Sequence, residues 1–144
     1  MKFDRILLSH GSGGKLSHQL VQDVFVKAFD NEFLSVLNDQ AIFHIHASRL
    51  AFTTDSYVVN PIFFPGGDIG KLSVCGTIND LAVGGAEPLY LSASFILEEG
   101  IPVGELKAIV GSMAATAHAA GVKIITGDTK VVERGKGDKI FITT

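Results

Sequence analysis

The sequence predicts an α/β domain, because helical and extended patterns alternate along the chain. The clearest pattern is Gly66–Leu97, where an amphipathic helix is followed by an apolar strand. Asp68 stands where a helix N-cap is expected, and Gly84 and Gly85 provide the stop. A second helix and further strands follow, so helices and strands contribute to one core.

The predicted central helix has two faces of different character. Apolar residues recur about every three positions, which predicts a buried face: Ile69, Leu72, Cys75, Ile78, Leu81 and Ala82. A second stripe holds small residues and one carboxylate: Ser73, Gly76, Thr77, Asp80 and Gly84. A small-residue stripe lets a backbone or a flat ligand approach, so we interpret this stripe as a platform for a site. The strand that follows, Leu89–Leu97, is apolar enough to lie inside a sheet.

The remaining elements are predicted from periodicity and from turn residues. Leu16 to Phe29 keeps helical spacing, and Pro102 fits the first turn of a second helix that Gly121 ends. Short apolar segments predict strands of a meander: Phe33–Leu37, Ala41–Ala47 and Leu50–Val59. The C-terminal part predicts a strand at Val122–Thr126, a turn at Gly127–Asp128, an extended Lys130–Val132, an exposed hairpin connection at Arg134–Lys139, and a strand at Ile140–Thr144.

The composition excludes several function classes. Charged residues make up 19% of the 144 residues, below the roughly 25% of an average globular chain, so we expect another chain or domain to cover apolar surface. The formal net charge of -3 offers no basic field for nucleic acid. The single cysteine, Cys75, permits no internal disulfide. No signal peptide or membrane-spanning run is recognisable, so we expect a soluble cytoplasmic protein.

Two common nucleotide motifs are absent, but one glycine-rich segment precedes a helix. Neither Lys15 nor Lys71 has the first glycine that a Walker A loop needs. The segment Gly11-Ser12-Gly13-Gly14-Lys15, the glycine-rich arm, could present backbone N–H groups and one cation to phosphate. The alternative is a flexible N-terminal arm.

Four aspartates lie in apolar surroundings: Asp39, Asp55, Asp80 and Asp128. An isolated carboxylate is costly to bury, so such residues need a partner. One such partner is Mg²⁺, which takes one or two protein carboxylates and leaves its other positions to water and nucleotide. The alternative is that each aspartate caps a helix or forms an Asx turn.

The assembled motifs carry a family resemblance from His10 to Val132. They are HGSGGK, LNDQA, FTTDSYVV, DIGKLSVCGTINDLAVGGAEPLYLS and GDTKVV. The chain resembles the N-terminal domain of the HypE family of hydrogenase maturation proteins. That family belongs to the superfamily of aminoimidazole ribonucleotide synthetase, selenophosphate synthetase and thiamine-monophosphate kinase.

The resemblance implies a PurM-like fold, with a mixed, mainly antiparallel sheet, helices packed on one face, and sheet pairing in a homodimer. Residues 1–144 would form a single ATP-binding and dimerisation domain, without the family's C-terminal domain. The resemblance implies ATP and Mg²⁺ as cofactors, with metal ligands Asp39, Asp55, Asp80 and Asp128. Nucleotide-binding residues would be Gly11, Gly13, Gly14, Lys15, Asn79 and Thr129. Lys130 would stabilise charge at the activated oxygen.

The resemblance also implies a reaction. In the family, ATP activates the oxygen of a thiocarbamate carried on a C-terminal cysteine, and a thiocyanate results, for the cyanide ligands of [NiFe]-hydrogenase. The implied partners are the carbamoyltransferase HypF and a HypC–HypD scaffold complex. Two alternatives stay open: a small-molecule kinase of the same superfamily, and a non-catalytic dimerisation or docking module.

Overall fold

A computed structural model describes residues 3–36 and 50–144 of the chain. The N-terminal helical segment consists of α1 (Lys15–Leu20), a π-helical stretch (Val21–Val26) and α2 (Lys27–Phe29). Short 3₁₀ turns lie at Leu8–Gly11 and Leu34–Val36. The other elements are β1 (Ser56–Tyr57), β2 (Phe63–Phe64), β3 (Gly67–Asp68), α3 (Ile69–Val83), β4 (Tyr90–Glu98), α4 (Val103–Ala119), β5 (Lys123–Val132) and β6 (Ile140–Thr143).

The main sheet has four strands in the order β1-β6-β4-β5. Strand β4 pairs in parallel with β5, and the connection between them is α4. On its other side β4 pairs antiparallel with β6, which pairs antiparallel with β1. Strands β2 and β3 form a separate two-stranded hairpin. The predicted mixed α/β fold is confirmed, and β4 lies inside the sheet as its apolar sequence predicts.

The two faces of the sheet have different neighbours. Alternate residues of β4 are buried beneath the helices: Leu91, Ala93, Phe95 and Leu97. Their neighbours point the other way and form, with residues of β6, a surface that we call the open face: Ser92, Ser94, Ile96, Phe141 and Thr143. Ile96 on this face is 42% exposed. The expected packing of helices on one face is therefore observed.

Helix α3 begins and ends where the sequence predicts, but it buries a different face. The Asp68 side chain accepts hydrogen bonds from the N–H groups of Gly70 (2.7 Å) and Lys71 (3.0 Å), as an N-cap does. The buried residues are Ile69, Gly70, Ser73, Val74 and Thr77. Leu72 is 38% exposed, whereas Ile78 is partly buried against the core, so the predicted apolar face is only partly correct. The small-residue stripe is largely a packing seam, because small side chains let α3 approach the sheet closely.

Two predictions of extended structure are wrong or largely wrong, and a third is not tested. Residues 34–36 form a 3₁₀ turn, because Asn31 Oδ1 accepts hydrogen bonds from the N–H groups of Phe33 and Leu34 and turns the chain locally. Within Leu50–Val59 only Ser56–Tyr57 is a strand, since only these residues lie opposite β6. The predicted segment Ala41–Ala47 lies outside the described residues.

The C-terminal part also differs from its prediction. Gly127–Asp128 is not a turn but the middle of β5, because β4 offers hydrogen-bonding partners along the whole strand. Arg134–Lys139 is not a hairpin connection between neighbouring strands, since β6 joins β4 on the side away from β5. Pro102 is the N-cap residue of α4 and precedes its first turn. None of the helices in the described ranges is both long and apolar enough to cross a membrane.

Candidate functional site

A cavity of about 490 Å³ lies between the glycine-rich arm and β5. Gly11 and Gly13 line one side of it, and Asp128, Thr129 and Lys130 line another. Its remaining wall is partly aromatic, with Phe25, Phe29, Phe33 and Phe95. Five residues proposed from the sequence therefore meet at one cavity that has both a polar and an apolar side.

The arm is held against β5 by close packing and by a local turn. A Cβ atom on Gly11 would lie 2.6 Å from the backbone nitrogen of Val131, so only glycine fits there without movement. Gly13 has a φ of 78°, and its N–H donates to Ser17 Oγ at 2.9 Å. Gly14 and Lys15 are exposed at the start of α1 and do not line the cavity.

His10 also lines the cavity, although it is not among the site residues predicted from the sequence. The residue is only 2% exposed, and its Nδ1 accepts a hydrogen bond from the Leu7 N–H at 2.9 Å. Burial lowers the pKa of His10, while the bond to Leu7 opposes this shift. Within the described ranges its Nε2 has no hydrogen-bond partner. An aromatic contact with Phe3 holds the ring edge-on at 5.7 Å between centroids.

Asp128 has one carboxylate oxygen in a local hydrogen bond and the other in an exposed ion pair. Its Oδ1 accepts a hydrogen bond from the Thr129 N–H at 2.8 Å, and its Oδ2 lies 3.5 Å from Lys130 Nζ. Both side chains are more than half exposed, so this ion pair contributes little to stability. Asp128 can therefore keep its Asx-type hydrogen bond to Thr129 and still bind a ligand.

Asp55 lies at the other edge of the sheet. Its backbone exchanges two hydrogen bonds with Thr144, of 2.9 and 3.0 Å, and its Oδ1 accepts one from the Ser56 N–H at 2.9 Å. Tyr57, two residues on, points to the same face of β1. Burial raises the pKa of Tyr57 most, and a hydrogen bond to the Asp55 carboxylate together with its charge adds to this rise, whereas hydrogen bonds with the Thr77 and Thr144 hydroxyls lower the pKa.

Asp80 lies near this second group of residues through its place on α3. The Tyr57 Oη is 3.0 Å from Thr77 Oγ1. Asp80 follows Thr77 by three residues on the same side of the helix, so it lies about one turn, roughly 5 Å, further along the axis. Asn79 and Asp80 are both exposed. Asp39 lies outside the described residues.

A single chain does not bring Asp128 to Asp55. The strands that carry them are opposite edges of the sheet, three strand spacings or roughly 14 Å apart. Asp128 pairs with Ser94 of the open face and borders the cavity where β5 forms the edge of the sheet, whereas Asp55 shares the helix-covered face with Tyr57. The sequence-based site residues therefore form two groups, one at the cavity and one at β1 and α3.

The group at β1 and α3 has a donor set that suits a hard cation. Asp55 and Asp80 offer exposed carboxylate oxygens, and the neighbouring side chains are hydroxyl groups rather than sulfur or imidazole. Within the described ranges no three His, Cys, Asp or Glu side chains lie close enough to form a metal site. Two carboxylates are nevertheless the usual protein share of a Mg²⁺ shell, so the residues fit part of such a site.

Fold and site residues together define a mixed α/β domain in which a glycine-rich arm and an aspartate-bearing strand border one cavity. The chain belongs to the family of AIR synthase related proteins and matches its N-terminal domain over residues 37–144. It is 62% identical over 145 aligned residues to carbamoyl dehydratase HypE of Cupriavidus necator, covering 100% of this chain and 41% of that protein. It is 57% identical over 146 residues to carbamoyl dehydratase HypE of Escherichia coli, covering 98% and 44%.

Solved structures agree with these similarities. The fold matches a crystal structure of hydrogenase maturation protein HypE in complex with ATP, with a TM-score of 0.93 and 55% identity over 95% of this chain and 41% of that one. It also matches a HypE–HypF complex, with a TM-score of 0.63 and 56% identity over 86% and 40% of the two chains. This chain therefore spans about two fifths of the length of its relatives.

Proposed function

We propose that this chain is the ATP-binding and dimer-forming part of a carbamoyl dehydratase that acts in hydrogenase maturation. The observation that carries the proposal is the cavity where the glycine-rich arm meets Asp128, Thr129 and Lys130. The close match to a HypE structure solved with ATP supports a nucleotide in this domain.

In the proposed site, the cavity binds the nucleotide, and the group of residues at β1 and α3 binds Mg²⁺. Backbone N–H groups of Gly11 and Gly13 face the phosphates in the cavity, and Thr129 contacts the nucleotide. Gly14 and Lys15 are proposed to approach the phosphates from the start of α1, outside the cavity lining. Gly13 can take part once its N–H leaves Ser17 Oγ. Asp55 and Asp80, supported by Asn79, hold one Mg²⁺ position, and Asp39 is proposed as a further metal ligand on the family resemblance alone. Asp128 serves a second cation beside the cavity, because it is three strands away from Asp55.

The proposed reaction removes water from a thiocarbamate on a cysteine in the C-terminal part of the full-length protein. The carbamoyl oxygen attacks the γ-phosphorus of ATP, and ADP leaves. The phosphorylated oxygen then departs with its phosphate while the nitrogen loses its protons, which leaves a thiocyanate. Mg²⁺ would supply neutralisation of the phosphate charge, and Lys130 would stabilise negative charge at the transferred oxygen.

Mass spectrometry of the full-length protein tests this function. When the cysteine is carbamoylated and Mg²⁺ and ATP are added, the peptide that carries this cysteine should lose the mass of one water. Phosphorylation of a small molecule without this loss would instead support a kinase of the same superfamily. ATP binding without any turnover would support the docking module.

Replacing Asp55, Asp80 or Asp128 by Asn should weaken Mg·ATP binding by tenfold or more while the fold stays intact. Asn keeps the shape and the hydrogen bonds of a cap or Asx turn but loses the charge that a cation requires. Calorimetric titration of the full-length protein with Mg·ATP measures the effect. Asp138→Asn is the control, since Asp138 is exposed on the connection before β6. Unchanged affinity in all three variants would show that these aspartates are only turn residues.

We further propose a homodimer that covers the open face. This face leaves Ile96 42% exposed in the middle of a sheet, where apolar surface favours a partner. Sedimentation at micromolar concentration should give twice the monomer mass, and Ile96→Lys should shift the protein to monomer. Leu72→Lys, at a similarly exposed apolar position on α3, should leave the dimer intact. A monomeric wild-type chain would contradict the proposal.

HypF is a proposed partner, because a neighbouring fold was solved as a HypE–HypF complex. A HypC–HypD scaffold is proposed on the family resemblance, as the acceptor of the cyanide group. Co-purification of the full-length protein with each of them tests these contacts.

A further inference from the structure

His10 is a buried imidazole at the wall of the cavity, directly before the glycine-rich arm. The residue is 2% exposed, and its ring borders the same cavity as Gly11 and Lys130. Gly11 packs against the backbone of Val131, which holds the main chain of His10 beside the strand that carries Lys130. An imidazole is therefore fixed at the edge of the proposed phosphate site, where the proposed function gives it no task.

The hydrogen bonds of His10 determine which ring nitrogen carries the proton. The Leu7 N–H donates to Nδ1 at 2.9 Å, so Nδ1 offers a lone pair. Burial lowers the pKa of His10 by more than the Leu7 backbone bond raises it, which favours the neutral ring. A neutral imidazole has one N–H group, and in His10 that group is at Nε2.

The Nε2–H group is a buried donor without an acceptor. Within residues 3–36 and 50–144 Nε2 has no hydrogen-bond partner, and it is shielded from solvent. The neighbouring ring of Phe3 offers no oxygen or nitrogen acceptor. Buried polar groups in folded proteins are nearly always paired, because an unpaired donor destabilises the folded state. This donor is therefore available to a ligand that enters the cavity.

The groups around the His10 ring favour an anionic ligand. The cavity is lined by Gly11 and Gly13, whose segment can present N–H groups to phosphate, and by Lys130, which adds a cation. The Asp128 carboxylate on the same side lies 3.5 Å from Lys130 Nζ. A hydrogen bond from a neutral donor to a charged oxygen is stronger than one between two neutral groups. Phosphate oxygens therefore suit a wall that combines these donors.

We propose that His10 is a nucleotide-binding residue whose Nε2–H donates a hydrogen bond to a phosphate oxygen of ATP. This inference rests on the proposed nucleotide site in the cavity. Neutral histidines act in the same way in enzymes where an imidazole N–H polarises a substrate oxygen. The hydrogen bond adds affinity for the phosphate without adding a further positive charge to the site.

A shift of the arm brings the phosphate to Nε2. Beyond Gly11 the arm is loosely packed, since a Cβ atom on Gly13 or Gly14 would meet nothing within 4 Å. The bond from the Gly13 N–H to Ser17 Oγ is exposed, so water can replace it at little cost. The movement that releases the Gly13 N–H for phosphate also opens the approach to the His10 ring.

Two substitutions in the full-length protein separate the two nitrogens of His10. Asn places an oxygen near the Nδ1 position and keeps an acceptor for the Leu7 N–H, but it has no donor at the Nε2 position. Gln reaches further, so its amide N–H replaces the Nε2 donor while the acceptor for Leu7 is lost. Calorimetric titration with Mg·ATP should show about tenfold weaker binding for His10→Asn. His10→Gln should keep most of the affinity, although thermal unfolding should show that it is less stable.

His118→Asn is the matched control. His118 is exposed in the last turn of α4 and does not line the cavity, so this variant should bind Mg·ATP as the wild type does. A purely structural role of His10 predicts the opposite order of the two His10 variants. His10→Asn would then bind as the wild type, and His10→Gln would lose affinity along with its stability.

Nitrogen-15 NMR of the wild-type full-length protein observes the proposed bond directly. The ring signals of His10 can be identified by their proximity to the Phe3 ring protons. Without nucleotide they should show a protonated Nε2 and an unprotonated Nδ1. Mg·ATP should shift the Nε2 signal and slow the exchange of its proton with water. Adenosine alone, and inorganic phosphate alone at the same concentration, should leave the signal in place.

The outcomes separate failure of this inference from failure of the proposed function. If the wild type binds Mg·ATP while its Nε2 signal stays in place, the inference is wrong and the nucleotide site stands. Equal losses of affinity in both His10 variants would also overturn it, since His10 would then act only through the fold. A response to adenosine would assign Nε2 to the nucleoside, and an equal response to inorganic phosphate would assign it to a free anion. If the wild type binds no Mg·ATP, the proposed function is wrong and this inference is wrong with it.

Discussion

We expect the 144-residue chain alone to show no dehydratase activity and to bind Mg·ATP weakly or not at all. The chain spans about two fifths of the length of its relatives, so the proposed substrate cysteine and its domain belong to the remaining part. Catalysis requires reacting groups held within about 3–3.5 Å, and the 144 residues do not include the proposed substrate cysteine. In the 144-residue chain the nucleotide pocket would also lack the wall that the rest of the full-length protein supplies. The nucleotide would therefore bury less of its surface away from water.

Parallel calorimetric titrations of the chain and of the full-length protein, at matched Mg²⁺, check this expectation. A full-length variant with its substrate cysteine replaced by alanine is the control, since it should bind ATP normally and form no thiocyanate. Equal ATP affinity of chain and full-length protein would mean that the first domain holds ATP by itself. Rapid ATP consumption by the 144-residue chain would overturn the dehydratase proposal and favour the small-molecule kinase.

Replacing Lys130 by Ala in the full-length protein should lower kcat about a hundredfold or more, with a smaller change in the KM for ATP. A fixed cation that stabilises charge formed in the transition state acts on the chemical step, and removing one such group commonly costs 10²–10³ in rate. Lys130 lines the cavity with its Nζ 3.5 Å from Asp128 Oδ2. Single-turnover measurement of thiocyanate formation separates this effect from nucleotide binding.

Lys123→Ala is the matched control for the loss of a lysine from β5. Lys123 pairs with Glu32 at 2.7 Å at the other end of the strand, and exposed pairs of this kind contribute little. The Lys123→Ala variant should therefore form thiocyanate at the wild-type rate. If Lys130→Ala changes only ATP affinity, and by as much as Asp128→Asn does, Lys130 serves Asp128 and not the reaction.

Local signals in the sequence determined the elements whose stabilising contacts are close in the chain. Asp68 caps α3 through bonds to residues two and three positions on, and Gly85, with a φ of 75°, follows its end. The helical spacing of Leu16 to Phe29 is confirmed, although its middle is π-helical. The glycine-rich arm and the Gly127–Lys130 motif were also recognisable, because their residue types suit phosphate and cation binding.

Only the tertiary structure decided which of these elements meet. Gly127 and Asp128 read as a turn in isolation, yet nine residue pairs between β4 and β5, shifted once by an irregularity, hold them in a strand. Helix α3 buries Ser73 and Thr77 rather than Leu72, because Tyr57 and Thr144 supply hydrogen bonds to that side. Strand order set Asp55 and Asp128 at opposite edges of the sheet. The strand at Gly127–Asp128, the buried face of α3 and the strand order all depend on contacts with residues tens of positions away in the sequence. Local periodicity does not report such contacts.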